Sequence, residues 1–173
     1  MVVVIDNEVC AINDTATINA GGTLPNVVGN DLFNGEPAII GTAPGTVSVS
    51  EVQGFEEGFT LNPDGTISVD ENTPSGTYTL VYQICENGAN PANCDTATMV
   101  VEIDNKIDAI NDTAAVNAGD TIPNIVGNDT LNGNTPVIGT ANGTVSVSEV
   151  QGFEEGFTLD TVTGEVVVDP NTP

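Results

Sequence analysis

The stretch GTVSVSEVQGFEEGFTL occupies residues 45–61 and returns, letter for letter, at residues 143–159. The same 98-residue offset carries Ala-Ile-Asn-Asp-Thr from residues 11–15 onto residues 109–113, and Gly29-Asn30-Asp31 onto Gly127-Asn128-Asp129. A period near one hundred residues is too long for a solenoid turn or a propeller blade, and is the size of one small domain. The chain, 173 residues long and short of two full periods, therefore reads as a tandem array of domains.

Upstream of the repeated stretch, residues 6–13 read as a short polar linker. Residues 14–20 alternate, with Ala16, Ile18 and Ala20 on one face and Thr15, Thr17 and Asn19 on the other, the pattern of a half-buried strand. Gly21-Gly22 turns the chain, and residues 24–28 read as the next strand, with Pro25 pointing to an edge or a bulge. Residues 29–37, rich in Gly, Asn and Asp, read as a loop. Residues 38–41, 46–50, 59–61 and 66–69 read as short strands, divided by turn signals such as Ala43-Pro44-Gly45 and Asn62-Pro63-Asp64-Gly65. Residues 77–85 and 94–103 form the longest strands: Tyr78, Leu80, Tyr82 and Ile84 share a face of the first, and Ala97, Met99, Val101 and Ile103 a face of the second. No segment carries a helical period. Seven or eight strands in about a hundred residues point to an all-β fold of tandem immunoglobulin-like Greek-key β-sandwich repeats.

The domain limits follow from the offset. Residues 1–7 read as the closing strand of a preceding repeat, because Val2–Ile5 matches Val100–Ile103; residues 8–105 form a complete repeat. Residues 106–173 replay the pattern with one residue inserted between Asp160 and Gly164, and contain no counterpart of either long strand. Met1 aligns with Met99, so the chain is expected to be a window on a longer array, its second half exposing an apolar face and unpaired strand edges.

Against 25 acidic residues stands one basic residue, Lys106, for a formal charge of −24. That charge repels nucleic acid and anionic membranes, and no apolar run approaches membrane-spanning length. Neither nucleic acid nor membrane insertion is expected. Histidine is absent, which removes Ser-His-Asp and Cys-His catalysis and argues against structural zinc. The pairs Glu56-Glu57 and Glu154-Glu155 are sequence neighbours that point apart, so they read as acidic tips of turns anchored by Phe55 and Phe59, or Phe153 and Phe157, rather than as a glycosidase pair. No enzyme is expected. A single lysine also rules out Lys–Asn crosslinks as a repeating device.

Cys85 and Cys94 have the outward parity of their strands, and a hairpin closed by residues 86–93 brings the two together. An oxidised bridge is expected over two free thiols, and a metal would lack further ligands nearby. Cys10 has no counterpart, since Asp108 stands in its place. It is either a free thiol or paired outside this window.

Several of these strings resemble the immunoglobulin- or cadherin-like tandem repeats of large bacterial cell-surface adhesins, especially those of Bacteroidetes. The opening Ala11–Ala16 with Val28-Gly29-Asn30-Asp31 is similar to the start of such repeats, and Tyr78–Cys85 followed by Asn90–Thr98 is similar to their Cys-bracketed closing hairpin. The resemblance covers essentially the whole chain. It implies an extracellular, cell-surface stalk or filament, often calcium-loaded, whose partners are neighbouring repeats and neighbouring copies. It implies neither a catalytic activity nor a receptor.

Carboxylates gather at the expected junctions. Asp14, Asp104, Asp108 and Asp112, with Asp31 and Asp129 from loops, are the expected Ca²⁺ ligands, because hard oxygen donors on flexible segments suit that ion. The alternative is a solvated acidic linker. Asp-Thr followed by a small or aliphatic residue places Thr15, Thr96, Thr113, Thr130 and Thr161 in strings that resemble the acceptor motif of Bacteroidetes O-glycosylation. The bland alternative is that Asp-Thr simply begins strands. The functional expectation is a structural spacer that projects a distal binding region. Its rival is a carbohydrate- or ligand-binding module of a secreted protein, which usually shows an aromatic platform; here there is no Trp and both Tyr residues have core-facing parity.

Overall fold

A computed structural model describes residue 1 and residues 5–173, in two compact units, Met1–Asp104 and Asn105–Pro173. The strand expected at Val2–Ile5 falls largely outside the described residues. Among those residues there is no α-helix, and so no helix long and apolar enough to cross a membrane.

The first unit is built on its two longest strands, β9 (Gly76–Glu86) and β10 (Cys94–Ile103), paired antiparallel from Cys94↔Cys85 to Ile103↔Gly76. β2 (Asp14–Ile18) runs parallel to β10, Met99↔Asp14 to Ile103↔Ile18, and β6 (Val47–Glu51) runs antiparallel to β9, which gives a four-stranded sheet of order β2-β10-β9-β6. Opposite lies a sheet of order β3-β8-β7, from β3 (Thr23–Leu24), β7 (Phe59–Leu61) and β8 (Ile67–Val69). Period-two alternation drives the inward residues of both sheets together. Leu80, Tyr82 and Ile84 of β9, and Ala97, Met99, Val101 and Ile103 of β10, are buried against Leu24, Val47, Phe59, Ile67 and Val69. Each large aliphatic side chain so buried contributes about 1.5–3 kcal/mol. The result is a β-sandwich.

Four expectations about local structure are corrected. Residues 38–41, expected as a strand, hold only an isolated bridge, Ile40↔Val47, and residues 29–37, expected as a loop, contain two short strands. The strand expected at residues 24–28 stops at Leu24: Pro25 lacks an N–H, and the Asn26 side chain accepts from Val28 N at 2.9 Å, nucleating a 3₁₀ turn over Val27–Asn30 that buries both valines. The linker at residues 6–13 contains β1 (Val9–Cys10), which pairs with β4 (Leu32–Phe33); β4 in turn pairs with β5 (Glu36–Pro37). The β4–β5 hairpin turns on Asn34-Gly35 with φ of 55° and 78°, the left-handed pair that a two-residue primed turn requires.

The second unit repeats part of this plan. β11 (Ile107–Asp108) pairs with β13 (Thr130–Leu131), and β12 (Thr121–Ile122), β15 (Val166–Val168) and β14 (Phe157–Leu159) form a sheet in that order. Residues 112–116 and 145–149, which correspond to β2 and β6, are not strands. The second case is instructive, because residues 145–149 have the same sequence as β6. In the first unit β6 is held by β9 and β2 by β10, and residues 105–173 contain no equivalent of either partner. Strand propensity without a partner does not make a strand. Burial follows: Val116 is 42% exposed and Phe153 42%, where their counterparts Ile18 and Phe55 are half-buried.

Candidate functional site

The most elaborate polar arrangement lies inside the first sandwich, around the hydroxyl of Tyr82. An inward tyrosine among aliphatic neighbours must find a partner for its O–H. Tyr82 is fully buried, and its hydroxyl lies 3.0 Å from Ile12 O, 3.0 Å from Val27 O, 3.1 Å from Asp14 Oδ2, and 3.1 and 3.3 Å from the two carboxylate oxygens of Asp31. Asp31, also fully buried, accepts in addition from Ile12 N at 2.7 Å. One side chain of β9 thus ties together the entry to β2, the 3₁₀ turn and the segment after it. Burial pushes the Asp31 carboxyl above the usual carboxylate range, offset by the Ile12 N–H and Tyr82, while Asp14 and Asp95 push it further up. Asp14 is raised chiefly by burial, against hydrogen bonds from Tyr82 and Asn30. Burial, with Asp31 and Asp14 beside it, holds the Tyr82 hydroxyl well above its ordinary range, so it stays a donor.

This cluster answers where two of the expected metal ligands go. Asp14 and Asp31 come together, but their oxygens face protein donors. Among the described residues no group of three or more His, Cys, Asp or Glu side chains is arranged to hold a metal ion. In the second unit Asp129 Oδ1 accepts from Ile110 N at 2.7 Å, the counterpart of the Asp31–Ile12 bond, and Asp112 is exposed. Asp108 lies in β11 and Asp104 closes the first unit, both exposed.

A second polar motif occurs once in each unit. Asn34 Nδ2 donates to Asn7 Oδ1 at 3.0 Å, and Asn34 Oδ1 accepts from Glu8 N at 2.8 Å. Asn132 makes the same pair of bonds to Asn105 Oδ1 and from Lys106 N, both at 2.9 Å. The turn of each β-hairpin therefore clasps the segment that enters its own unit. In the first unit Asn7 Nδ2 also donates to Glu86 Oε1 at 2.6 Å, and Asn93 Nδ2 donates to Asn7 O at 2.8 Å and to Glu86 Oε2 at 2.9 Å. That contact fixes the entering segment to the β9–β10 hairpin.

Cys85 and Cys94, directly opposite in that hairpin, form a disulfide. Cys10, in β1, is a half-buried free thiol. The repeated stretch holds its own loop in both copies: Glu51 accepts from Phe55 N at 3.0 Å and Leu61 N at 3.4 Å, and Glu149 accepts from Phe153 N and Leu159 N at the same distances. Glu56 and Glu57 are exposed at its tip.

Thr15, Thr96, Thr113 and Thr161 are exposed, and Thr130 is half-exposed in β13. Thr113 lies on no strand, because the β2 counterpart does not form. Neither tyrosine offers a platform for a sugar ring: Tyr82 is buried, while Tyr78 is half-buried against Phe59 with ring centroids 4.9 Å apart and donates to Pro74 O at 2.9 Å.

No protein-family model and no curated protein matches the sequence at a significant level. Among solved structures, the chain is similar to the human desmocollin-1 ectodomain, with 16% identity, TM-score 0.41, and coverage of 97% of this chain and 34% of that one. It is similar to a protocadherin gamma B7 EC3-6 cis-dimer structure, with 13% identity, TM-score 0.38, and coverage of 94% and 42%. It is also similar to protocadherin gamma C5 EC1-3, with 16% identity, TM-score 0.34, and coverage of 95% and 57%. The chain thus spans between about a third and just over half of the length of these structures. The β-sandwich assignment rests on the strand pairing and burial of this chain itself.

Proposed function

We propose that the chain belongs to a structural spacer, a run of repeats in an extracellular adhesin or surface filament that projects a distal binding region. The observation that carries this reading is the pairing of β2 with β10. They lie near the two ends of the first unit and run parallel over five register pairs, Met99↔Asp14 to Ile103↔Ile18. Tension applied through the chain ends pulls these neighbours in opposite directions along their length. Their hydrogen bonds then load together in shear rather than opening one at a time. A disulfide in the adjoining hairpin suits an oxidising, extracellular setting, and a charge of −24 keeps successive repeats apart and the array extended.

The partners on this reading are neighbouring repeats of the same protein and neighbouring copies in a filament. Calcium is an accessory proposal that rests on the sequence resemblance, and the oxygens of Asp14 and Asp31 already face protein donors. O-glycans at Thr15, Thr96, Thr113 and Thr161 would sit on exposed residues. Solution scattering tests the spacer role. The maximum dimension should grow in proportion to the number of 98-residue repeats and shrink when salt screens the charge. A compact particle whose size does not track repeat number would overturn it. The same series with and without a chelator, and glycopeptide mapping of native material, reads the two accessory proposals.

A further inference from the structure

Four Asn-Gly pairs stand in the chain, at 34–35, 87–88, 132–133 and 142–143. In such a pair the backbone nitrogen of glycine can reach the asparagine side-chain carbonyl carbon, because no Cβ shields the approach. Whether it does depends on how firmly the amide is held. Asn34 and Asn132 are each held at both ends of the amide by the bonds that clasp the entering segments. Asn87 Nδ2 donates to Gly41 O and to Thr46 Oγ1, both at 2.9 Å. Asn142 is exposed, and among the described residues its side chain has no hydrogen-bond partner.

The turn that carries Asn142 occurs in both repeats. Thr46 N and Thr46 Oγ1 bond Ala43 O at 3.2 and 2.6 Å, and Thr144 N and Thr144 Oγ1 bond Ala141 O at the same distances; Gly45 has φ 86° and Gly143 φ 76°. The difference is the residue before glycine. The first repeat has Pro44, whose ring fixes φ and which carries no amide, and the second has Asn142.

We propose that Asn142 is a self-modification site. The Gly143 backbone nitrogen attacks Asn142 Cγ and a C–N bond forms. The Cγ–Nδ2 bond breaks, and the side-chain nitrogen leaves as ammonia with the proton given up by Gly143. Water then adds to the five-membered imide: its hydroxyl goes to one of the two ring carbonyl carbons and its hydrogen to the ring nitrogen. Opening at one carbonyl leaves aspartate, and opening at the other leaves isoaspartate. Both add a negative charge, and isoaspartate also inserts a methylene into the backbone at the entrance to the stretch 143–159. Two repeats identical over that stretch therefore age differently, the copy with Pro44 staying inert. This inference is independent of the spacer reading.

The test is incubation of the intact chain in neutral and mildly alkaline buffer at body temperature. Peptide mapping by mass spectrometry is combined with enzymatic methyl transfer that labels isoaspartate. The expected result is progressive loss of the amide at Asn142, faster in alkali, with the amides of Asn34, Asn87 and Asn132 retained. In denaturant all four should convert at similar rates, and Asn142→Pro should abolish isoaspartate labelling of the folded chain. The proposal is overturned if Asn142 keeps its amide, if another of the four converts as fast in the folded chain, or if the ranking persists in denaturant.

Discussion

A tyrosine hydroxyl has one hydrogen to give, and that of Tyr82 lies within 3.3 Å of two backbone carbonyls and two carboxylates. Removing it leaves the buried Asp31 carboxylate with the Ile12 N–H as its donor. Tyr82→Phe should therefore destabilise the first unit by about 1–3 kcal/mol. Both tyrosines lie in that unit and the chain has no tryptophan, so the fluorescence of Tyr78 during denaturation reads the effect in the variant. The pH dependence has a definite sign. Asp14 and Asp31 have folded pKa values raised above their unfolded ones, so the native state holds the extra proton. Their contribution is fully present below the unfolded value, about 4, and is lost as pH rises through the folded values. Repulsion among the other carboxylates runs the same way, so the informative quantity is a difference. Between mildly acidic and neutral pH, the wild type should lose more stability than Asp14→Asn. Equal losses would show that Asp14 does not titrate anomalously in the fold.

At the scale of elements, one sequence meets two fates. Ser48–Glu51 faces β9 in the first unit, while residues 146–149 have no such neighbour. Hydrogen exchange should find the β9-facing amides of β6 protected and their counterparts at 146–149 exchanging at nearly free rates. Equal protection in both copies would mean that this stretch is a strand without β9. The same contrast shows what could be read in advance. The two long strands were legible because seven core-facing residues recur at period two, from Leu80 to Ile84 and from Ala97 to Ile103. The pairs Val9–Cys10, Leu32–Phe33 and Glu36–Pro37 were not, since two residues carry no period. Val27 and Val28 suit a strand as well as a turn, and the Asn26 cap decides between them. The Tyr82–Asp31 contact joins residues 51 positions apart. Its only advance signal was a tyrosine with core-facing parity that needed a partner for its hydroxyl.

For the whole molecule the claim is that each repeat is a separate load-bearing body. The first unit has a parallel end-strand pair and a stapled hairpin, and the second has neither among its described residues. The most direct measurement is to stretch a single chain from its two ends and record force against extension. Two separate events are predicted. A weak one belongs to the second unit, and a strong one to the first, with a gain in length on the order of 300 Å for a repeat drawn out at about 3.3–3.6 Å per residue. Reducing the Cys85–Cys94 bridge, which spans a sequence separation of 9, should lengthen the strong event by on the order of 30 Å and leave the weak one unchanged. A featureless extension, or one cooperative rupture of the whole chain whose length ignores the reductant, would contradict the account.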